Sequence, residues 1–227
     1  MTVPSPQSSS PMRIELVQPT DMTRCGEIIT SSFSEIPIAP SLFSNPKPAE
    51  QNAAVVGARQ YLSQVEHNAA FPSVPVGIKC IHTDSATGEE TIAGYAEWYF
   101  FDRERTPEEA CIDNYGFRYE WVQPEGERER CLAFMRPMKV AREKITGTRQ
   151  FGFLVYMCVD EKFRRMGAAS ACVRWGMDRA RELGVPTYLD ATEEGMATYT
   201  KLGWEVVGEP TSYPSMMWWP EGIERWA

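Results

Sequence analysis

The sequence is poor in histidine, and its cysteines are not spaced as metal ligands. It has 2 histidines, His67 and His82, and 6 cysteines among 227 residues, with no C-x-x-C pair. Structural zinc sites draw four ligands from closely spaced Cys and His residues, so this pattern argues against a metal site. We interpret the scattered cysteines as free thiols in a reducing compartment, and we expect a cytoplasmic protein.

Long apolar runs and a basic excess are missing too. No stretch approaches the roughly 18 apolar residues of a membrane span, and the amino terminus has no apolar signal-peptide core. The 23 Lys and Arg against 31 Asp and Glu give a net charge of −8. This balance argues against nucleic acid or an anionic membrane as partner. We expect a small basic or neutral molecule as the partner, and a monomer or homodimer.

The length and the composition indicate one domain with a sizeable core, since 43% of the 227 residues are hydrophobic. Residues 1–12 are rich in Pro, Ser and Gln and predict a disordered tail, which leaves a single domain over residues 13–227. Residues 102–150 are a charge-dense insertion with an aromatic patch (Tyr115, Phe117, Tyr119, Trp121). Its last part is predicted to be a helix that Pro137 bends or interrupts.

The first half of the domain alternates between strand and helix patterns. Residues 13–18 predict a strand, and a helix follows as far as Phe33. Four prolines in residues 34–48 predict a loop, and a helix over residues 49–68 ends near His67, read as a capping or surface residue.

Residues 76–83 and 91–101 predict an antiparallel pair of strands. On the second strand, Glu97 shares a face with Tyr95 and Tyr99. Two interpretations stay open for Glu97: a solvated strand face, or a carboxylate that lines a pocket.

Residues 151–203 form the stretch around which the chain is organised. An apolar strand runs to Val159, a basic turn with Arg164 and Gly167 follows, and then come a helix, a short strand and a second helix carrying Tyr199. Backbone N–H groups at a helix N-terminus beside two arginines are suited to bind a phosphate. The turn lacks the G-x-x-x-x-G-K-[ST] pattern, which argues against a P-loop kinase or ATPase.

These elements resemble the Gcn5-related N-acetyltransferase (GNAT) superfamily. Arg164, Gly167 and Ala169 match its pyrophosphate-binding pattern, and Tyr199 precedes the Gly203-Trp204 pair at the spacing found in that family. The resemblance implies an α/β (α+β) fold with a central mixed, mostly antiparallel sheet of six to seven strands flanked by helices. The long insertion between the third and fourth strands resembles inserts of fungal members.

The resemblance also implies a binding site for acetyl-CoA, with CoA as product. Backbone groups of the apolar strand would pair with the pantetheine arm, and the turn would wrap the pyrophosphate. The residues implied are Met157, Cys158, Val159, Arg164, Arg165, Met166, Gly167, Ala168, Ala169, Ser170, Thr192 and Tyr199. Thr192 departs from the asparagine that many members carry there. We read Cys158 as a small buried residue, not a nucleophile, because no histidine motif lies near it.

For catalysis, the resemblance implies that Tyr199 is the general acid towards the CoA thiolate. The base stays open between Asp190 and Glu97, with Glu193 and Glu194 as further carboxylates at the end of the second strand. Phe33 and Phe43 are expected to contact the acceptor. The implied function is acetyl transfer to a small-molecule amine by direct attack in a ternary complex. The alternatives are a non-catalytic acyl-CoA sensor and a protein or peptide N-acetyltransferase.

Overall fold

The computed structural model describes residues 12–43, 49–111 and 119–226. Most of the predicted tail lies outside these residues, as do Tyr115 and Phe117 of the aromatic patch. Met12, which the sequence placed in the tail, is instead the buried first residue of the first strand.

Seven strands and seven helices make up the described part of the chain. The strands are β1 (Met12–Leu16), β2 (Gly77–Thr83), β3 (Glu90–Phe101), β4 (Phe151–Val159), β5 (Thr187–Asp190), β6 (Glu205–Val206) and β7 (Ser215–Trp218). The helices are α1 (Met22–Ser32), α2 (Ala39–Phe43), α3 (Ala49–Ala70), α4 (Pro107–Ala110), α5 (Glu125–Thr146), α6 (Ala168–Leu183) and α7 (Glu193–Lys201).

The strands form one mixed sheet in the order β1-β2-β3-β4-β5-β7-β6. All neighbours are antiparallel except β4 and β5, which run parallel with α6 as the crossover helix between them. The predicted mixed, mostly antiparallel sheet of six to seven strands is therefore confirmed.

Helices cover both faces of the sheet. On one face, α6 and α7 pack on Ala96, Trp98 and Phe100 of β3. On the other face, α1 and α3 pack around Tyr95. This division follows from the alternation of side chains along β3, which the sequence predicted.

The contact between α6 and the sheet depends on a residue without a side chain. A Cβ atom placed at Gly176 would lie 2.0 Å from Cε2 of Trp98, so the helix approaches closely only because this position is glycine.

Two helices differ from the sequence expectation. The predicted loop over residues 34–48 contains α2, which tolerates Pro40 because a proline in the first turn of a helix removes no internal hydrogen bond. Helix α5 runs through Pro137 without interruption, so of the two predicted effects of this proline the interruption is wrong and the bend stays a prediction.

The insertion packs on the face that carries α1 and α3. Tyr119, Val122 and Cys131 form a buried cluster with Ile38, and the guanidinium of Arg142 lies 4.4 Å from the ring centre of Phe153. Among the described helices, none combines the length and the apolar character needed to cross a membrane.

Candidate functional site

The two parallel strands at the centre of the sheet separate soon after they meet. β4 and β5 pair only at Gly152 with Thr187 and at Phe153 with Tyr188. Against β3, Leu154 pairs with Trp98 and Tyr156 with Glu97, so Val155 is one extra residue in β4. Such a bulge bends its strand and increases the local twist. Beyond these two pairs β4 and β5 are not hydrogen-bonded to each other, and we call the gap between them the opening.

The edge of β4 that faces this opening has backbone groups that no strand of the described residues pairs with. The N–H of Asp160 donates to the carbonyl of Ala93 on β3 at 2.9 Å. Because hydrogen-bonding directions alternate along an antiparallel strand, the backbone groups of Met157 and Val159 point the other way, towards the opening. Both residues are half-buried, and the described part of β5 does not pair with them. An extended ligand can add to this edge as a strand would.

Cys158 points away from the opening. Its side chain is fully buried beside Tyr95, and desolvation, aided by the charge of Glu97, raises the pKa of its thiol well above the ordinary value. A protonated, buried thiol is a poor nucleophile, in agreement with the sequence interpretation.

The turn between β4 and α6 ends in a helix N-terminus that faces open space. Arg165 and Gly167 have positive φ angles of 65° and 95°, and a Cβ atom built at Gly167 would meet no atom within 4 Å. Within the described part of the chain, neither Arg164 nor Arg165 forms an ion pair. Free N–H groups at a helix N-terminus and arginines without a described ion-pair partner are suited to bind an anion, and we call this turn the candidate anion site.

Upstream, the same turn is anchored by Asp160. Its carboxylate accepts the N–H of Lys162 at 2.9 Å and also pairs with Arg24 of α1. These bonds tie the start of the turn to the helical layer on the other face of the sheet, which fixes where the anion site begins.

Tyr199 lies on α7 and is nearly buried. Its ring is 6.0 Å from that of Trp204, and desolvation raises the pKa of its hydroxyl above the ordinary value of 10. No hydrogen-bond partner of this hydroxyl is found among residues 12–43, 49–111 and 119–226. The group stays protonated at neutral pH and has a proton to donate.

Thr192, predicted to contact the cofactor, is the N-cap of α7, where its hydroxyl accepts the N–H of Gly195 at 3.2 Å. Glu193 and Glu194 follow it in the exposed first turn of this helix. There they complement the helix dipole, and neither carboxylate belongs to the buried part of the site.

Glu97 is completely buried, so the interpretation as a solvated strand face is wrong. Its two carboxylate oxygens accept separate hydrogen bonds, from Tyr95 at 3.0 Å and from Tyr99 at 2.8 Å. Desolvation raises the pKa of Glu97 to about 7, against the lowering effect of these two bonds. No Lys, Arg or His among the described residues forms an ion pair with it, although buried carboxylates are usually paired with a cation.

Helix α3 covers Glu97 with a polar stripe. Gln60, Gln64 and His67 are all buried and follow one another at intervals of four and three residues. Nε2 of Gln64 donates to the hydroxyl of Tyr95 at 2.6 Å, and the His67 ring stacks on Tyr99 at 4.5 Å.

The sequence prediction for His67 as a capping or surface residue is therefore wrong. Desolvation lowers its pKa to about 4, so its ring is neutral. The signal that could have revealed the stripe is the helical spacing of these polar residues with the buried Val56, since they fall on the face that packs on the sheet.

Gln60 leaves a polar atom unpaired. Its Oε1 is buried and accepts no hydrogen bond from the described residues, and the side chain lies close to the hydroxyl of Tyr156. Tyr156 stands opposite Glu97 in the β3 to β4 register. Oε1 of Gln60 is thus a buried acceptor without a donor among the described residues, whereas both oxygens of Glu97 accept hydrogen bonds but have no cation beside them.

Asp190 occupies the end of β5, on the far side of the opening. It accepts from the hydroxyl of Tyr188 at 2.7 Å and from Ser215 at 3.3 Å. Desolvation raises its pKa to about 6, and the charge of Arg142 opposes this rise. Unlike Glu97, Asp190 has a cation close enough to compensate its charge.

The two phenylalanines expected to contact the acceptor have different surroundings. Phe33 is half-buried, and its ring meets that of Tyr156 edge to face at 5.5 Å. Phe43 is buried in the packing of α1, α2 and α3. The structure brings Phe33 to the site and places Phe43 in the core beside it.

Comparison with known proteins settles the family. The profile of the Acetyltransferase (GNAT) family matches residues 79–204, more than half of the chain. The chain belongs to this GNAT family. The matched residues include Glu97, the edge of β4, the turn before α6, Asp190 and Tyr199.

One curated protein shares a short segment with this chain. Probable acyltransferase SID5 of Ajellomyces capsulatus is 37% identical over 46 residues, which are 20% of this chain and 34% of that protein. The match thus spans about a third of the curated relative.

Solved structures support the same fold. The mosquito arylalkylamine N-acetyltransferase like 5b has a TM-score of 0.56 at 15% identity, with 92% of this chain and 100% of that chain covered. The Drosophila melanogaster polyamine N-acetyltransferase has a TM-score of 0.54 at 13% identity, with 91% and 97% covered. At such identities, the likeness extends to the fold alone.

Proposed function

We propose that this GNAT protein transfers the acetyl group of acetyl-CoA to the amine of a small molecule, by direct attack in a ternary complex. The observation that carries the proposal is the opening between β4 and β5. An unpaired strand edge and a turn suited to bind an anion lie along it, and the strand that carries this edge pairs at Tyr156 with Glu97, a buried carboxylate that has no cationic partner among the described residues.

The residues around the opening fit acetyl-CoA. The edge at Met157 and Val159 would pair with the amide groups of the pantetheine arm, and the turn from Arg164 to Ser170 would hold the pyrophosphate. The open space in front of Gly167 leaves room for a phosphate where another residue would place a side chain. Acetyl-CoA, when bound, supplies an acetyl group activated as a thioester.

The acceptor side fits an amine. Protonated amines bring several N–H donors and a positive charge. Oε1 of Gln60 is a buried acceptor without a donor among the described residues, and Glu97 is a buried carboxylate without a described cation beside it. Two of the structural relatives are named for arylalkylamine and polyamine substrates. Phe33 beside Tyr156 would contact the apolar part of such an acceptor.

Glu97 is the base we propose. An amine must lose a proton before it attacks, and a carboxylate whose pKa is about 7 accepts that proton on Oε1 or Oε2, directly or through one water. Asp190 is the weaker candidate because Arg142 compensates its charge. Tyr199 holds a proton on its hydroxyl oxygen for the departing thiolate.

The function is tested by incubating the protein with acetyl-CoA and a panel of acceptors, with release of the free CoA thiol as readout. The panel holds arylalkylamines, polyamines, amino acids, aminoglycosides and peptides with free N-termini. Calorimetry with CoA is run in parallel.

We expect turnover with at least one small amine, and a loss of activity that is larger in Glu97→Gln than in Asp190→Asn. Turnover with peptides alone would show a peptide acetyltransferase, and CoA binding without any turnover would show a sensor. Absence of CoA binding would overturn the proposal altogether.

A further inference from the structure

The orientation of one hydroxyl next to Glu97 is decided by a residue of another element. Tyr95 has a single hydroxyl proton and two polar neighbours, Nε2 of Gln64 at 2.6 Å and Oε2 of Glu97 at 3.0 Å. The amide nitrogen of Gln64 can only donate. The Tyr95 oxygen must therefore accept from Gln64, and its own proton is left for Glu97.

The second oxygen of Glu97 depends on a different arrangement. Oε1 accepts the hydroxyl proton of Tyr99 at 2.8 Å, and Tyr99 is held by the stacked ring of His67, whose Nε2 is 3.0 Å from the carbonyl of Phe100. Gln64 therefore acts on one of the two hydrogen bonds of the carboxylate, and a change at Gln64 leaves the other bond in place.

The strand opposite Glu97 makes room for Gln64. Gly77 of β2 is the direct cross-strand neighbour of Glu97. A Cβ atom at Gly77 would lie 2.4 Å from Oε1 of Gln64, so any side chain there would displace the amide. Gly77 therefore leaves the space that the Gln64 amide occupies on the Tyr95 side of the carboxylate.

No cation among the described residues compensates Glu97. The titratable groups that face it belong to β3, β4, α1 and α3 and are Tyr95, Tyr99, Tyr156, Cys158, Cys25 and His67. Burial raises the pKa values of Tyr95, Tyr156, Cys158 and Cys25, and the ring of His67 is neutral, so none of these groups brings a positive charge. The carboxylate accepts hydrogen bonds from Tyr95 and Tyr99.

We propose that Gln64 is a positioning residue, which directs the hydroxyl proton of Tyr95 onto Glu97 and thereby stabilises the carboxylate form. This inference rests on the proposed function, because the proposed base Glu97 must be ionised to accept a proton and Gln64 favours that ionised form. The proton transfer itself belongs to Glu97, and Gln64 acts through Tyr95.

The test compares Gln64→Glu with Gln64→Leu. A glutamate at position 64 accepts a hydrogen bond where glutamine donates, so the Tyr95 proton turns away from Glu97 and the carboxylate loses one of its two donors. A leucine removes the donor but supplies no competing acceptor. We expect the titration of Glu97 to rise by about one pH unit or more in Gln64→Glu and by a few tenths in Gln64→Leu.

The readout is infrared titration of the protonated carboxylic acid, with the band of Glu97 identified by its loss in Glu97→Gln. A double-mutant cycle with Tyr95→Phe separates the hydrogen bond from the added charge. If Gln64→Glu acts through Tyr95, the double variant titrates with a smaller shift than the sum of the two single shifts. Additive shifts, or equal shifts in Gln64→Glu and Gln64→Leu, would overturn the inference.

If Gln64→Glu does not fold, Tyr95→Phe tests the inference by itself, because it removes the same hydrogen-bond donor to Glu97. An unchanged titration of Glu97 in this variant would overturn the inference as well. The pH profile of acetyl transfer then separates the two proposals. If the infrared titration of Glu97 shifts but the pH profile of acetyl transfer does not, the role of Gln64 is supported and Glu97 is rejected as the base.

Discussion

Replacement of Glu97 by glutamine is expected to change how the stability of the protein depends on pH. Desolvation raises the pKa of Glu97 from 4.5 to about 7 in the folded protein. Between these values, the folded state holds a proton that the unfolded state has released. The stability from this group is therefore fully present below about pH 4.5 and is lost as the pH rises through about 7.

The magnitude follows from the two pKa values. A difference of roughly 2.5 pKa units, at about 1.4 kcal/mol for each unit, corresponds to about 3 kcal/mol of unfolding free energy. Glutamine keeps the size and one acceptor of the protonated acid, and it never ionises. Relative to the parent, Glu97→Gln should therefore gain about 3 kcal/mol between pH 4.5 and pH 8.

The assay is urea unfolding of both proteins over this pH range, with the difference in unfolding free energy plotted against pH. Asp190 and the other titrating groups are present in both proteins, so their effects largely cancel in the difference. Glu66→Gln makes the same change at an exposed position of α3 and serves as the control. If the Glu97→Gln difference runs parallel to that of the control, the carboxylate is not desolvated and the reasoning is refuted.

The other predictions concern the candidate anion site, the proposed acid Tyr199 and the acceptor side. Ala169→Glu puts a carboxylate in the first turn of α6, which should stabilise the helix by about 0.3–1 kcal/mol but weaken CoA binding at least about tenfold. Calorimetry that shows CoA affinity equal to that of Ala169→Gln would place the anion site elsewhere. Tyr199→Phe should lower kcat about 10²-fold while CoA affinity and Tm stay near the parent; near-parental kcat would remove Tyr199 as the acid. Phe33→Ala should raise the KM for the acceptor without a change in CoA affinity, whereas Phe43→Ala should cost about 3–5 kcal/mol of stability. Equal losses of CoA affinity and acceptor binding in Phe33→Ala would show a structural role instead.

Several features of the site were predictable from the sequence because they depend on local order along the chain. The helix from Gly167 to Gly184 follows from two glycines that supply positive φ angles at its ends, 95° and 66°. The common face of Tyr95, Glu97 and Tyr99 follows from the two-residue period of a strand. The family pattern of Arg164, Gly167 and Ala169 needs only six consecutive residues.

The sequence by itself thus determined the order of the strands and the longer helices, the faces of β3 and the turn that we propose binds an anion. The tertiary structure alone decided that Glu97 is buried, because its cover is α3, whose Gln64 precedes it by 33 residues. It also decided that β4 and β5 separate after two residue pairs, since strand pairing joins segments with a whole helix between them. Desolvation and strand pairing arise from contacts between segments that are distant in the sequence, and the local periodicity of the sequence does not predict such contacts.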